Sequence, residues 1–167
     1  MARGGVALLA CLFAVALTLR PQIVGLGPLI PEIQADLDVS HAVAGLLSTI
    51  PVACMGLFAP AAAYVSGSIG LHRAIGLAVA LLGLAGMARA LAPGAAAVLL
   101  LTLPVGIGIA VAGALMPVAV KEGFRDRPAF ATGIYVGGIN TGSALAAATA
   151  VPLAAAGSWR TALLVFS

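Results

Sequence analysis

Charged residues are scarce in this chain. Of its 167 residues only 8% are Asp, Glu, Lys or Arg, whereas 62% are hydrophobic and the mean hydropathy is +1.18. Soluble domains have about a quarter of their residues charged, so this composition cannot provide a surface that faces water. The apolar runs are too long for the alternating strands of about ten residues that form membrane barrels. The sequence therefore predicts an all-α integral membrane protein.

Motifs for catalysis and for cofactors are also missing. The five acidic residues lie in loops or at helix ends, and neither HExxH nor a phosphate-binding loop occurs. Gly106-Ile-Gly108 lacks the third glycine and the preceding strand of a dinucleotide site. Cys11 and Cys54 lie inside apolar runs without CxxC spacing, which favours small buried hydrophobes over a metal or redox site. We therefore expect no enzyme activity, no cofactor and no metal.

The basic residues are few and lie mostly at the ends of apolar runs, without the basic stripe that would indicate a nucleic-acid partner. Five of them are expected on one side of the membrane: Arg3, Arg73, Lys121, Arg125 and Arg127. Arg89 and Arg160 are expected on the other side. The positive-inside rule then places the N-terminus and the loop at 121–128 in the cytoplasm, and the acidic segment at 32–38 outside.

Five apolar runs are long enough to form membrane spans, each of which needs about 20 predominantly apolar residues. The predicted spans cover residues 6–30, 41–64, 74–91, 95–120 and 129–156. A sixth run starts at Thr161 and stops at Ser167, far short of ~20 residues. We therefore expect residues 1–167 to be the N-terminal transmembrane bundle of a longer protein. Removal of the first run as a signal peptide is disfavoured, because the apolar run resumes after Arg20.

Several local features follow from residue types. Residues 32–40 are expected to form a polar loop, and Ser40 to cap the second span. Pro51 and Pro60 are expected to interrupt that span. Arg89 is expected to snorkel to the membrane interface, and Trp159 to act as an interfacial anchor.

An arginine inside the first span is the strongest functional signal in the sequence. A charge at such depth is costly and rare, and Pro21 should kink the helix beside Arg20. Either the bent helix presents Arg20 to a cavity, or the guanidinium snorkels to the interface; the depth favours a cavity. No predicted span offers a carboxylate, so an anion, water or a group beyond Ser167 would have to compensate the charge. Because its fork of donors matches two oxygens of a small oxyanion, Arg20 is predicted to bind an anionic substrate.

Small and polar residues recur at helical spacing in the fifth span. One face carries Gly133, Gly137, Asn140, Thr141 and Ala144, and Gly138 and Gly142 form a second pair. The pattern favours close helix packing, with Asn140 forming an interhelical hydrogen bond. Alternatively, Asn140 and Thr141 line the cavity opposite Arg20 and contribute to substrate binding. The glycines of the fourth span likewise favour close packing.

Several segments, taken in order, resemble the major facilitator superfamily, in particular its branch of cyanate and 2-nitroimidazole permeases. They are LRPQIVGLGPLIPEI, AGLLSTIPV, GLHRAIGL, LPVGIGIAVAGALMPVAVKEGF and SWRTALLVF. The most specific element is Leu19-Arg20-Pro21 followed by Gly27-Pro28-Leu29. Gly67 and Ser68 depart from the family, because an aspartate-arginine pair usually stands there. Gly113 also departs, since this branch often has asparagine at that position.

The resemblance implies an N-terminal helical bundle of the major facilitator type, with five spans and the start of a sixth out of twelve. It implies a substrate site between two six-helix halves, with spans one and four facing the cavity. The implied function is secondary transport of a small anionic or polar solute, such as cyanate or a nitro compound, across the inner membrane. The partners would be this solute, the lipid bilayer and the C-terminal half of the same chain, without nucleic acid.

The packing glycines suit an alternative of another class, a non-transporting membrane scaffold or assembly module. In that case Arg20 would bond a partner helix. A defined protein that copurifies with the chain, together with the absence of solute flux, would favour this alternative.

Overall fold

The computed structural model describes residues 3–167, with the side chains from Gly5 onward, and these residues are helical apart from short turns. The Arg3 side chain, which entered the charge count above, lies outside the described part. The elements are α1 (Arg3–Leu19), α2 (Pro21–Val24), a 3₁₀ turn (Gly27–Leu29), α3 (Ile30–Leu37), α4 (His41–Ile69), α5 (Leu71–Ala90), α6 (Ala95–Gly123), α7 (Pro128–Ala156) and α8 (Trp159–Val165). The prediction of an all-α protein is confirmed.

Within residues 3–167, five helical segments are long and apolar enough to cross a membrane, as predicted. The first is the broken segment Gly5–Leu37, and the others are the single helices α4, α5, α6 and α7. α4 runs unbroken through Pro51 and Pro60, so the expected interruption was wrong. A proline is tolerated inside a membrane helix when neighbouring helices and local adjustments satisfy the freed carbonyl group.

The helix α6 forms the centre of the bundle and packs against α4 on one side and α5 on the other. Gly106 faces α4, where an added Cβ would lie 2.9 Å from the Cys54 side chain. Gly108 faces α5, where an added Cβ would lie 2.7 Å from the Ala78 carbonyl oxygen. Since lipid gives helices no hydrophobic reason to associate, close approach at small residues supplies the attraction. The predicted packing role in the fourth span is confirmed for Gly106 and Gly108, whereas an added Cβ at Gly113 would meet nothing within 4 Å.

The polar segment expected at 32–40 is a loop only at its end. Residues up to Leu37 belong to α3, and Asp38 ends that helix in the left-handed conformation, with φ of 48°. Asparagine and aspartate adopt this conformation more readily than other residues with a side chain. The predicted capping by Ser40 is confirmed, because its hydroxyl accepts a hydrogen bond from the Val43 N–H at 3.4 Å.

A set of polar contacts, here called the Trp159 clamp, ties the start of α8 to α3. Trp159 is only 1% exposed, so the prediction of an interfacial anchor was wrong. Its indole N–H donates to Asp36 Oδ2 and its backbone N–H to Glu32 Oε1, both at 3.0 Å. Arg160 stacks on the Trp159 ring and lies 3.5 Å from the Asp36 carboxylate. The clamp therefore fixes the far end of the first span to the last described helix.

Candidate functional site

The first span is broken in its middle, directly after Arg20. α1 ends at Leu19, and Pro21 is the first residue of α2. Proline suits this position because its missing N–H would be unpaired there in any case, and its fixed φ matches a helix. A second irregular stretch, the 3₁₀ turn at Gly27–Leu29, precedes α3. The predicted kink beside Arg20 is confirmed.

Arg20 lies at the surface of the bundle and not in its core. Leu19 belongs to the packed face of α1, and Arg20 follows it by one residue and is exposed. No acidic side chain among residues 5–167 lies within salt-bridge distance of it. Because the residue sits near the middle of the 33-residue span Gly5–Leu37, hydrocarbon is a costly environment for its charge. The site therefore needs water, an anion or another protein surface in front of Arg20.

Tyr135 on α7 lies within electrostatic range of the Arg20 guanidinium. The tyrosine is partly buried and packs against the main hydrophobic core, so its position is held by neighbouring helices. Its hydroxyl can donate or accept a hydrogen bond. The sequence reasoning missed this residue, because a single tyrosine in an apolar run carries no signal until its helix is placed beside α1.

The helices α1 and α7 touch through Gly138 and Gly142. A Cβ on Gly138 would lie 2.8 Å from the Ala16 Cβ, and a Cβ on Gly142 would overlap the Leu17 carbonyl. These contacts set the height of α7 relative to Arg20, which lies less than one turn beyond Leu17. The packing role predicted for this pair is confirmed.

The other predicted face of α7 is exposed. Asn140 and Thr141 are both exposed, and an added Cβ on Gly133 or Gly137 would meet nothing within 4 Å. Asn140 is two residues from each packing glycine, so with 3.6 residues per turn it points away from α1. The hydrogen bond expected between Asn140 and another helix does not occur within the described residues. Asn140 therefore points away from the contact between α1 and α7, whereas Tyr135 lies within electrostatic range of the Arg20 guanidinium.

A groove of about 320 Å³ lies beside the break, between α1, α7 and α8. Its hydroxyl groups are committed to their own helices: Thr18 donates to the Val15 carbonyl at 2.9 Å and Thr149 to the Leu145 carbonyl at 2.6 Å. Hydroxyls in membrane helices often bond in this way. Arg20 does not line the groove, so the groove offers an anion no charged partner.

Arg89 is the one buried charged residue among residues 5–167. It is 0% exposed, so the prediction that it snorkels to the interface was wrong. Its Nη2 donates to the side-chain oxygen of Gln22, which is also 0% exposed. Sequence reasoning missed the pair because Gln22 and Arg89 stand far apart in the chain. The one available signal was an arginine inside a span. Because Arg89 lies near the end of its helix, the sequence favoured a snorkelling side chain over a buried one.

A sequence model of the Major Facilitator Superfamily matches residues 6–167. Curated relatives include the uncharacterized transporter YycB of Bacillus subtilis (strain 168), 30% identical over 154 residues, which are 91% of this chain and 38% of the relative. The cyanate transport protein CynX of Escherichia coli (strain K12) is 30% identical over 141 residues, 84% of this chain and 37% of the relative. A 2-nitroimidazole transporter of the same strain is 34% identical over 161 residues, 96% of this chain and 41% of the relative.

The chain thus spans about two fifths of the length of these relatives. The match covers the five spans, including the broken first span from residue 6 onward, and the whole of α8. Together with a helical bundle that crosses the membrane several times, it establishes that the chain belongs to the Major Facilitator Superfamily.

Proposed function

We propose that this chain is the N-terminal bundle of a secondary transporter that moves a small anionic or polar solute across the inner membrane. Cyanate and nitro compounds are the solutes to test first, because two relatives are named as transporters of cyanate and of 2-nitroimidazole. The proposal places the N-terminus in the cytoplasm. It also places a second helical bundle of the same protein opposite Arg20.

The observation that carries the proposal is an exposed arginine, with no acidic partner among the described residues, near the middle of a membrane span. A packing residue at this place would be apolar, because a charge at such depth costs several kcal/mol unless it is compensated. An anion that enters from water compensates it. The guanidinium offers two parallel donors that match the two oxygens of a carboxylate-like or nitro group, and linear cyanate can accept from it through one terminal atom. Arg20 is the proposed anchor for the solute.

The α7 residues have different parts in this proposal. Tyr135, within electrostatic range of Arg20, is proposed to add one hydrogen bond to a bound solute. Asn140 and Thr141 stay predictions as substrate-binding residues. They are exposed polar groups, but Asn140 points away from α1, so it would contact a solute only at another point of the pathway.

The experiment is uptake of labelled cyanate, and of a nitroimidazole, by vesicles that contain the full-length protein. Arg20→Ala should abolish uptake, and Arg20→Lys should keep little, because one ammonium cannot replace the two-donor fork. Asn140→Ala tests whether Asn140 contributes to binding, and an unchanged KM would remove it from the substrate site. Arg125→Ala is the matched control, since it removes an exposed arginine in the loop between α6 and α7 and should leave uptake unchanged.

Normal uptake by Arg20→Ala would refute the anchor role. The wild-type protein is also tested with a panel of other small anions and nitro compounds. Absence of uptake for every compound tested would refute the proposed function. A defined protein that copurifies in that case would support a scaffold.

A further inference from the structure

Arg89 and Gln22 form a buried polar pair next to the break in the first span. Arg89 lies near the end of α5, and Gln22 lies in α2, two residues after Arg20. Both side chains are 0% exposed. Arg89 Nη2 donates to Gln22 Oε1 and also lies 3.5 Å from the Gln22 backbone oxygen. One guanidinium nitrogen therefore contacts the side chain and the main chain of the same residue.

The main-chain contact has a cause in the helix break. In a continuous helix the Gln22 carbonyl would accept from the Leu26 N–H, four residues on. Here the Leu26 N–H donates to the Ile23 carbonyl instead, at 3.3 Å. The Gln22 carbonyl thus loses its helical partner inside the membrane, where no lipid group can replace it. Arg89 supplies the donor that the broken helix lacks.

The Gln22 amide is held at both ends. Its Nε2 donates to the Phe166 carbonyl and to the Ser167 hydroxyl, both at 2.9 Å, which leaves Oε1 for Arg89. Gly86 makes room for this amide, because an added Cβ would lie 2.5 Å from Gln22 Nε2. The pair therefore fastens α2 to α5 on one side and to the end of α8 on the other.

The cost of this arrangement argues that it serves more than packing. The Nε and Nη1 atoms of Arg89 are buried and have no hydrogen-bond partner among the described residues. Two apolar side chains of similar volume would fill the same space at lower cost. What an apolar pair cannot do is donate to the freed Gln22 carbonyl.

We propose that Arg89 is a positioning residue, which through Gln22 fixes the break of the first span and thereby the placement of Arg20. The effect of Arg89 on transport rests on the proposed function, because Arg20 matters for transport only if it binds the solute. Whether Arg89 determines the surroundings of position 20 can be measured without a transport assay.

The first test measures the accessibility of position 20 in the full-length protein. In a background with Cys11→Ala and Cys54→Ala, Arg20→Cys is labelled with a water-soluble methanethiosulfonate reagent. Adding Arg89→Met should change the labelling rate at least threefold, because the Gln22 carbonyl loses its donor and the break rearranges. Arg125→Met is the control: it makes the same substitution at an exposed arginine in the loop between α6 and α7. Its labelling rate should stay within a factor of three of the parent.

Two further variants separate positioning from stability. Arg89→Lys keeps the charge and one donor nitrogen, so its labelling rate should lie closer to the parent than that of Arg89→Met. The double variant Arg89→Met with Gln22→Leu removes both side-chain partners and should recover thermal stability lost by either single change. Its labelling rate should stay altered, because the main-chain carbonyl still lacks a donor.

The second test compares uptake kinetics. Arg89→Met with native Arg20 should raise the KM for the solute at least tenfold, with a smaller effect on the maximal rate. A folded Arg89→Met variant with a labelling rate within threefold of the parent would overturn the proposal. If that variant does not fold, the double variant Arg89→Met with Gln22→Leu is judged by the same criterion. Failure of the wild-type protein to transport refutes the proposed function, while the labelling result still decides the role of Arg89.

Discussion

The contact between α7 and α1 can be tested with two glycines of the same helix. A Cβ at Gly142 would overlap the Leu17 carbonyl oxygen and lie 3.0 Å from the Leu17 carbonyl carbon, whereas a Cβ at Gly137 would meet nothing within 4 Å. The obstacle at Gly142 is backbone, which cannot rotate away as a side chain can. Gly142→Ala therefore forces the two helices apart by about 1 Å, the kind of overpacking that typically costs about 1–3 kcal/mol.

Both substitutions replace glycine by alanine within α7, so both gain the same helix propensity, up to about 1 kcal/mol. The difference between them isolates the clash. We expect Gly142→Ala to unfold at a lower temperature than Gly137→Ala, by about 2–12 °C if a drop of 2–4 °C accompanies each kcal/mol. The assay is thermal unfolding of the purified full-length protein in detergent. Equal unfolding temperatures for the two variants would refute the assigned packing of α7 on α1.

Two further predictions concern the Trp159 clamp and Tyr135. Trp159→Phe removes the indole donor to Asp36 and should cost about 1–3 kcal/mol, whereas Asp36→Asn weakens a partly exposed ion pair with Arg160 and should cost less than about 1 kcal/mol. Thermal unfolding checks this order, and a larger loss for Asp36→Asn would contradict it. Tyr135→Phe should raise the KM for the solute about 2- to 12-fold, the equivalent of one neutral hydrogen bond, without changing the unfolding temperature. An unchanged KM in vesicle uptake would remove Tyr135 from the site.

The break of the first span was predictable because its cause is local. Pro21 restricts its own φ and removes its own donor, whatever the rest of the chain does. The same holds for Ser40, whose hydroxyl reaches a backbone N–H three residues away. The number of spans was predictable from apolar length alone, since the bilayer imposes a nearly fixed thickness.

Which charge is buried depended on the packing of distant segments. Arg20, deep within a span, is exposed at the bundle surface, and Arg89, near a helix end, is enclosed. Position within a run gives the depth of a residue along the membrane normal, but not the direction in which its side chain points across the bundle. That direction follows from how α2, α5 and α8 meet, and no local pattern records it.

In the Trp159 clamp, too, the sequence predicts the depth of the residues along the membrane normal but not their contacts. The sequence correctly marks residues around 32–38 and 159–160 as polar ends of spans, because charges and tryptophan concentrate there. Only the tertiary structure shows that Trp159 is covered and that Asp36 and Glu32 accept its N–H groups.

The sequence by itself determined the membrane class, the number of spans, the kink at Pro21 and the resemblance to the superfamily. These follow from composition, apolar length and short-range steric effects, all of which act within a few residues. The tertiary structure decided that Gly138 and Gly142 carry the contact with α1, that Tyr135 comes within electrostatic range of Arg20, and that Arg89 pairs with Gln22. These depend on the rotation of each helix about its axis, which is set by the packing of all neighbouring helices at once.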